Sequence, residues 1–419
     1  MSTAPPQRIY FKNLDILRFI AAYMIVVLHC FALWESHYHQ MPYKNLFSPE
    51  NQVSIGRIMK NLSFGVDIFF IISGFLLTYL LLSEKDKTGG VDVMKFYFRR
   101  AFRIWPLYFL LVLVGPLLTY FFNEQSPNYG LQFIFAGNFD MIAQGSKSPA
   151  TDHLWSICVE EHFYLICPLM IAFTSSKKLP LVLSSIILFS ILFRTYMLFT
   201  SPEYGAHGYL NTFARVDVLA VGSFLGYLVY NNKIQFNHPL WARLMIYFLF
   251  LFVFFGTDTI ECGTFFSATV KKYFYVLCTA YWIGNFMFHQ KAIFVPKKTN
   301  IFHYCGKASY GIYMFNTVVI YLVLQFFSKF SIQNFFLFLV LCHAGISLVT
   351  ILSYRFFELP FLALKEKYAV IQSGDGVKNI PIAIADVKEE VEVGSEKDAE
   401  VISPSPELAI PIPVIVEKS

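Results

Sequence analysis

Ten stretches of this 419-residue chain are apolar for long enough to cross a lipid bilayer, which leaves few folds open to it. A span needs about 20 mainly apolar residues to cross a hydrocarbon core roughly 30 Å thick. The stretches lie at approximately 14–33, 62–82, 104–123, 154–173, 180–199, 211–230, 241–256, 269–288, 309–327 and 334–353. The seventh is short, and the fourth contains Glu160 and Glu161. Inside hydrocarbon the backbone must pair its own N–H and C=O groups, and a helix does so within one segment. The expected fold class is therefore all-α, a polytopic bundle of about ten transmembrane helices. Composition agrees. The chain is 56% hydrophobic and 15% charged, against about 45–50% and about 25% for soluble domains. Its 47 Phe and 25 Tyr suit lipid-facing surfaces and interfacial belts. The net charge of +5 is modest, and no nucleic-acid partner is expected.

The loops set an orientation. With the N-terminus inside, the inner loops carry Lys85, Lys87, Lys95, Arg99, Arg100 and Arg103, then Lys177 and Lys178, then Lys233, then Lys291, Lys297, Lys298 and Lys307. The outer loops carry fewer cations, with Lys44, Arg57 and Lys60 in the first and Lys147 in the second. This bias follows the positive-inside rule and predicts both termini in the cytoplasm. A multi-pass protein of the cell's inner membrane is expected. Residues 1–13 are polar, and the apolar run that follows holds Arg18 and is too long for a cleaved signal, so it reads as a retained span. Residues 1–369 read as one transmembrane domain. Residues 370–419 contain VKEEVEVGSEKDAE and several prolines, which predicts a disordered acidic cytoplasmic tail, dispensable for chemistry. The seven cysteines lack CxxC spacing, so neither a metal site nor a disulfide framework is indicated.

A charged side chain at a span centre costs about 2.5–3.5 kcal/mol on insertion scales, so such residues are functional candidates. Four clusters stand out. In the first span, Arg18 and His29 are eleven residues apart. That spacing sets them within about 20° on one helix face and about 16 Å apart along it. Histidine suits general-base work near neutrality, although a snorkelling Arg and a packing His would fit as well. At the start of the fourth span, His153, Ser156, Glu160 and Tyr164 recur at three or four residues, which sets them on one face. They read as an interhelical hydrogen-bond stripe or a polar wall that binds a hydroxyl. Before the third span, Arg99, Arg100 and Arg103 read as a topology signal or a phosphate clamp, since a guanidinium binds phosphate bidentately. A scatter of Asp67, Ser73, Arg215, Asp217, Arg355 and Glu358 reads mainly as helix pairing, and Gly222, Ser223 and Gly226 allow close helix approach.

Together these segments resemble the acyltransferase-3 family of bacterial-type membrane O-acyltransferases, from about residue 11 to residue 365. The family's Arg-x10-His pattern reads here as Arg18 to His29. Its Gly-Val-Asp-x-Phe-Phe segment runs on to Ser-Gly-Phe-Leu over residues 65–76. The Arg-rich segment matches Arg99, Arg100 and Arg103. The His-x-Trp-Ser segment matches His153, Trp155, Ser156, Glu160, Phe163 and Tyr164, and the Gly-Lys-x-Ser-Tyr-Gly segment matches residues 306–313. Two positions depart from the pattern. A His common in the ninth span is Asn316 here, and a Gln common after Glu161 is His162.

The resemblance implies transfer of an acyl group, usually acetyl from a CoA thioester, to a hydroxyl of an extracytoplasmic glycan or glycolipid such as a surface polysaccharide or lipopolysaccharide. Acyl-CoA enters as co-substrate, with no permanently bound cofactor. His29 is the expected general base or transient acyl carrier, with Arg18 as the second catalytic residue on its helix face and Asp67, Glu160 or His153 as orienting groups. Arg18, Arg99, Arg100, Arg103 and Arg215 are expected to hold the CoA nucleotide, and Trp155, Ser156 and Tyr164 the acceptor. Partners are the lipid bilayer, the glycan and the glycan-assembly machinery. Many relatives carry a further hydrolase-like domain, and this chain is expected to act without one. The rival readings are a glycan or glycolipid transporter or flippase, and a non-catalytic membrane partner.

Overall fold

The computed structural model describes residues 9–39, 42, 48–148, 150–201, 204–256, 266–288 and 300–371. The acidic segment expected as a tail lies outside these residues, except for 370 and 371. In chain order the helices are α1 (Asn13–Tyr38), α2 (Pro49–Asn61), α3 (Gly65–Thr88), α4 (Val93–Phe122), α5 (Tyr129–Phe133), α6 (Gly137–Gln144), α7 (Trp155–Phe173) and α8 (Leu179–Thr200). They continue as α9 (Tyr204–Leu210), α10 (Thr212–Tyr230), α11 (Leu240–Gly256), α12 (Lys272–Phe288), α13 (Ile301–Lys307), α14 (Ser309–Lys329), α15 (Phe335–Ser353) and α16 (Leu359–Lys367). The fold is the expected all-α bundle, with a helix in each of the ten apolar stretches. Among the described residues, eight helical segments are long and apolar enough to cross a membrane. The stretch containing Glu160 and Glu161 is among them, and a 3-10 turn at Asp152–Leu154 runs straight into its helix, α7. The seventh stretch forms the shorter α11, and α12 has 17 residues.

The helices end where local chemistry tells them to. Asp92 caps α4 by accepting the Lys95 backbone N–H at 3.0 Å, which pairs one of the donors a helix start leaves free. That bond and the neighbouring Lys95 ammonium hold the Asp92 carboxyl below the usual carboxylate range. Asn211 and Asn334 cap α10 and α15 in the same way. Gly89 ends α3 at φ 79°, a left-handed position that glycine takes without a side-chain clash.

Small residues bring α3 and α10 together. A Cβ added to Gly222 would lie 2.2 Å from the Ile71 carbonyl oxygen, and one on Gly74 would lie 2.0 Å from that of Leu219. Ser223 Oγ donates across the same seam to the Gly74 carbonyl at 3.3 Å. Backbones this close gain dispersion and weak polar contacts, which hold helices together where lipid removes the hydrophobic drive. On the opposite extreme, α8 turns Leu181, Leu188 and Leu192 outward at 56–70% exposure, as a lipid-facing helix does.

Charged groups tie one end of the bundle. Lys85 Nζ donates to the carbonyls of Ile171, Ala172 and Thr174 at 2.7–3.2 Å, capping the C-terminus of α7 with a cation. Arg99 pairs with Glu84 at 3.0 Å and donates to the Tyr368 carbonyl at 3.0 Å. Tyr368 stacks on Phe98 and Phe102, so the end of α16 is fixed to the first turns of α4. Cys30, Cys158, Cys167, Cys278 and Cys342 are buried filler between helices.

Candidate functional site

Helix α1 is unbroken from Asn13 to Tyr38, so Arg18 and His29 keep their eleven-residue spacing as about 16 Å along one axis. Each has its own polar surroundings.

At the His29 end, α1 meets α14 and the turn before α7. His29 Nδ1 lies 2.5 Å from Asn316 Oδ1. Its ring sits edge-on to His153, with centroids 6.5 Å apart. His153 has both ring nitrogens engaged, Nε2 with the Met314 carbonyl at 3.1 Å and Nδ1 with the Thr317 hydroxyl at 2.9 Å. A carbonyl only accepts, so His153 Nε2 carries the proton. Tyr313 donates to the His153 carbonyl at 2.9 Å and meets Ser156 Oγ at 2.7 Å. His153 is thus pinned on every side, which leaves His29 as the imidazole with a nitrogen to spare.

The groups expected to orient His29 part company. His153 is its neighbour. Asp67 faces Arg215 at 2.9 Å instead. Glu160 lies seven residues further along α7, among the cations of the other end. The group bonded to His29 is Asn316, which the sequence marks only as a departure. A buried amide three residues from Tyr313 in an apolar span was the available signal.

At the Arg18 end, cations from three helices gather. Arg18 Nη1 donates to Asp15 Oδ1 at 2.7 Å, and Tyr10 donates to Asp15 Oδ2 at 2.7 Å. Arg100 lies over the rings of Phe96 and Tyr164 at 5.5 and 5.6 Å, and its Nε is buried without a hydrogen-bond partner. Arg103 interacts electrostatically with Arg18, Asp15, Glu160 and Tyr164. Among the described residues, neither Arg100 nor Arg103 makes an ion pair, whereas Arg99 is committed to Glu84. Lys365, from α16, joins the field of Arg103, Arg100 and Arg18. A π-turn at Tyr354–Glu358 precedes α16 and turns Glu358 toward Gly311 and Arg103, with Ser353 donating to it at 3.1 Å. Such turns are frequent at functional sites. Lys365 is not among the candidate site residues of the sequence, and Glu358 reads there as a weak pairing residue, because α16 follows the last apolar stretch.

Between the ends, Arg215 is buried at 3% exposure. It is enclosed by Phe70, Trp155 and Tyr209 at 5.1–5.7 Å. It therefore stands with Asp67, apart from Arg99, Arg100 and Arg103. Trp155 packs in that cage, Ser156 is spent on Tyr313, and Tyr164 bonds to Ser73 while supporting Arg100. His162 Nδ1 meets Thr212 Oγ1, at the start of α10, at 2.8 Å. A further ion pair escaped the sequence reading. Arg194 of α8, 1% exposed, holds Asp217 at 2.6 Å, with Tyr273 donating to the same carboxylate at 2.5 Å.

The sequence profile of a family described as Acyltransferase domain matches residues 11–354. A protein of Staphylococcus aureus strain COL, named "Putative O-acetyltransferase", is 27% identical over 333 residues, covering 71% of this chain and 52% of its own length. The "O-acetyltransferase OatA" of Staphylococcus aureus strain NCTC 8325 is 29% identical over 234 residues, covering 52% of this chain and 35% of its own. The chain spans about half the length of the first of these relatives and less of the second. No solved structure matches it.

Proposed function

The chain belongs to the acyltransferase domain family, and we propose that it is a membrane O-acetyltransferase that moves acetyl from acetyl-CoA to a hydroxyl of an extracytoplasmic glycan or glycolipid. The observation that carries this reading is an imidazole with a spare nitrogen on α1 and, about 16 Å along the same helix, Arg18 in the field of Arg103, which like Arg100 makes no ion pair among the described residues. The names of the relatives support O-acetyl transfer.

In this proposal the cation end faces the cytoplasm of a cell's inner membrane. Arg100, Arg103 and Lys365 take the phosphates of CoA, and Arg18 stands where its arm enters the bundle. The Arg100 guanidinium, already over two aromatic rings, loses little freedom when it binds phosphate. The thioester arm follows the face of α1 toward His29. There His29 Nε2 takes the proton of the acceptor hydroxyl as its oxygen attacks the thioester carbonyl carbon. The C–S bond breaks, and the departing thiolate receives the proton from the imidazolium. In the variant route His29 Nε2 itself attacks the carbonyl carbon and expels the thiolate, and the acyl group then passes to the acceptor oxygen as that hydroxyl gives up its proton to the thiolate.

The test uses purified protein in lipid discs with labelled acetyl-CoA and surface glycan. His29→Ala should lower kcat by about 100-fold or more, the usual contribution of a positioned base. Full activity in a normally inserted His29→Ala protein would remove the mechanism. A transporter would consume no acetyl-CoA. Label on the wild-type protein in the absence of acceptor selects the acyl-carrier route.

A further inference from the structure

We propose that Asn316 is the positioning residue that locks His29 in the tautomer with Nδ1 protonated and Nε2 free, a proposal that rests on His29 acting as base or nucleophile. Asn316 is fully buried, so each of its amide atoms needs a partner inside the protein. Its Nδ2 donates to the Tyr313 carbonyl one turn back in α14. A carbonyl only accepts, which identifies the NH2 end of the amide and leaves Oδ1 facing His29. Oδ1 lies 2.5 Å from His29 Nδ1 and has no proton to give, so Nδ1–H is the donor. A neutral imidazole carries one N–H, and Nε2 is therefore the lone-pair nitrogen.

The surroundings hold this assignment. Turning the amide over would set its NH2 against Nδ1 and its oxygen against the Tyr313 carbonyl, leaving two acceptors face to face. The neighbouring His153 cannot compete for the role, because both its nitrogens are engaged with α14 through Met314 and Thr317. An imidazole at position 316, the residue the resemblance leads one to expect, presents either a proton or a lone pair and would leave the tautomer of His29 open. Asparagine cannot ionise, so it presents an acceptor at any working pH. This is the part a carboxylate plays toward histidine in a hydrolase triad, performed by a neutral group in a site where a further charge would be costly.

The experiment compares Asn316→Leu, which keeps the size and loses the acceptor, with Asn316→Asp, whose neutral carboxyl can donate its O–H to the Tyr313 carbonyl and keep an acceptor for His29. In lipid discs, Asn316→Leu should lower kcat by about tenfold or more while KM for acetyl-CoA stays within about twofold, and Asn316→Asp should keep most of kcat. A purely structural role would not be rescued by the aspartate. Solid-state NMR of protein labelled with 15N-histidine reads the tautomer directly, with His29→Ala identifying the resonance. The expected wild-type spectrum has His29 Nδ1 protonated and Nε2 bare. A wild-type His29 protonated at Nε2 overturns the proposal, and it does so even if Asn316→Leu fails to insert. So does full kcat in Asn316→Leu when His29→Ala is inactive, which leaves the acetyl-transfer reading intact. Activity in His29→Ala removes both.

Discussion

A guanidinium can hold a helix junction together or hold a ligand, and the three arginines that open α4 divide on this point. Arg99 is joined to Glu84, whose side chain is 2% exposed, and to the Tyr368 carbonyl. Removing one partner of a buried pair leaves the other charge uncompensated, at a cost on the order of 3 kcal/mol. Arg99→Gln should therefore lower the melting temperature in detergent and leave KM for acetyl-CoA nearly unchanged. Arg103 has no such commitment. Arg103→Gln should raise that KM by about tenfold or more, the value of one lost charge-assisted bond, with little change in melting temperature. The opposite pattern would make Arg99 the ligand and Arg103 the brace. Sequence spacing sets Arg99 and Arg103 on one face and cannot separate them, because their difference lies in Glu84 and Tyr368, residues supplied by other helices.

At the scale of elements, the seam between α3 and α10 carries the middle of the bundle. Gly222 and Gly74 bring backbone within contact of backbone, so any side chain there must push the helices apart. Gly222→Leu should destabilise the protein by about 1–3 kcal/mol or more and cost activity through loss of fold, seen as a lower melting temperature. Gly90, with open space around it, should accept alanine without effect in the same assay. The glycines were legible in the sequence as small residues at helical spacing. The Arg194–Asp217 pair on the neighbouring interface was not, because Arg194 sits in a span whose other polar residues give no pattern and its partner lies 23 positions away. Arg194→Met should unfold the protein more readily than the double variant Arg194→Met with Asp217→Asn, since the single change strands a buried carboxylate. Equal melting temperatures for the two variants would mean that Tyr273 and Lys272 suffice for Asp217.

For the whole molecule, the proposed mechanism needs a direction across the membrane. The cation end, with Arg100, Arg103 and Lys365, should lie in the cytoplasm, and the turn that carries His153 should lie near the outer surface. Single cysteines introduced at positions 90 and 146 test this with a membrane-impermeant thiol reagent. Labelling at 146 and protection at 90 in intact cells is the expected result, and the reverse removes the proposed path from CoA to acceptor. The final helix belongs to this path, because α16 brings Lys365 to the arginines of α4. Lys365→Gln should raise KM for acetyl-CoA by several-fold at low salt, and less at high salt, as expected for an electrostatic contact screened by ions. A KM indifferent to both substitution and salt would return Lys365 to the role of a loop charge.

The sequence by itself determined the all-α membrane bundle, since about 20 apolar residues at a time admit no other way to pair the backbone. It also singled out His29 and Arg18, whose cost in a span and spacing on one helix follow from a single element. What only the tertiary structure decided is which groups meet. Asn316 at His29, Glu84 at Arg99, Asp67 at Arg215 and Lys365 beside Arg103 are contacts between helices far apart in the chain. Helical periodicity says which face a residue occupies. It carries no information on the rotation and depth of the neighbour that face will meet, and those are set by packing small residues such as Gly74 and Gly222 into contact.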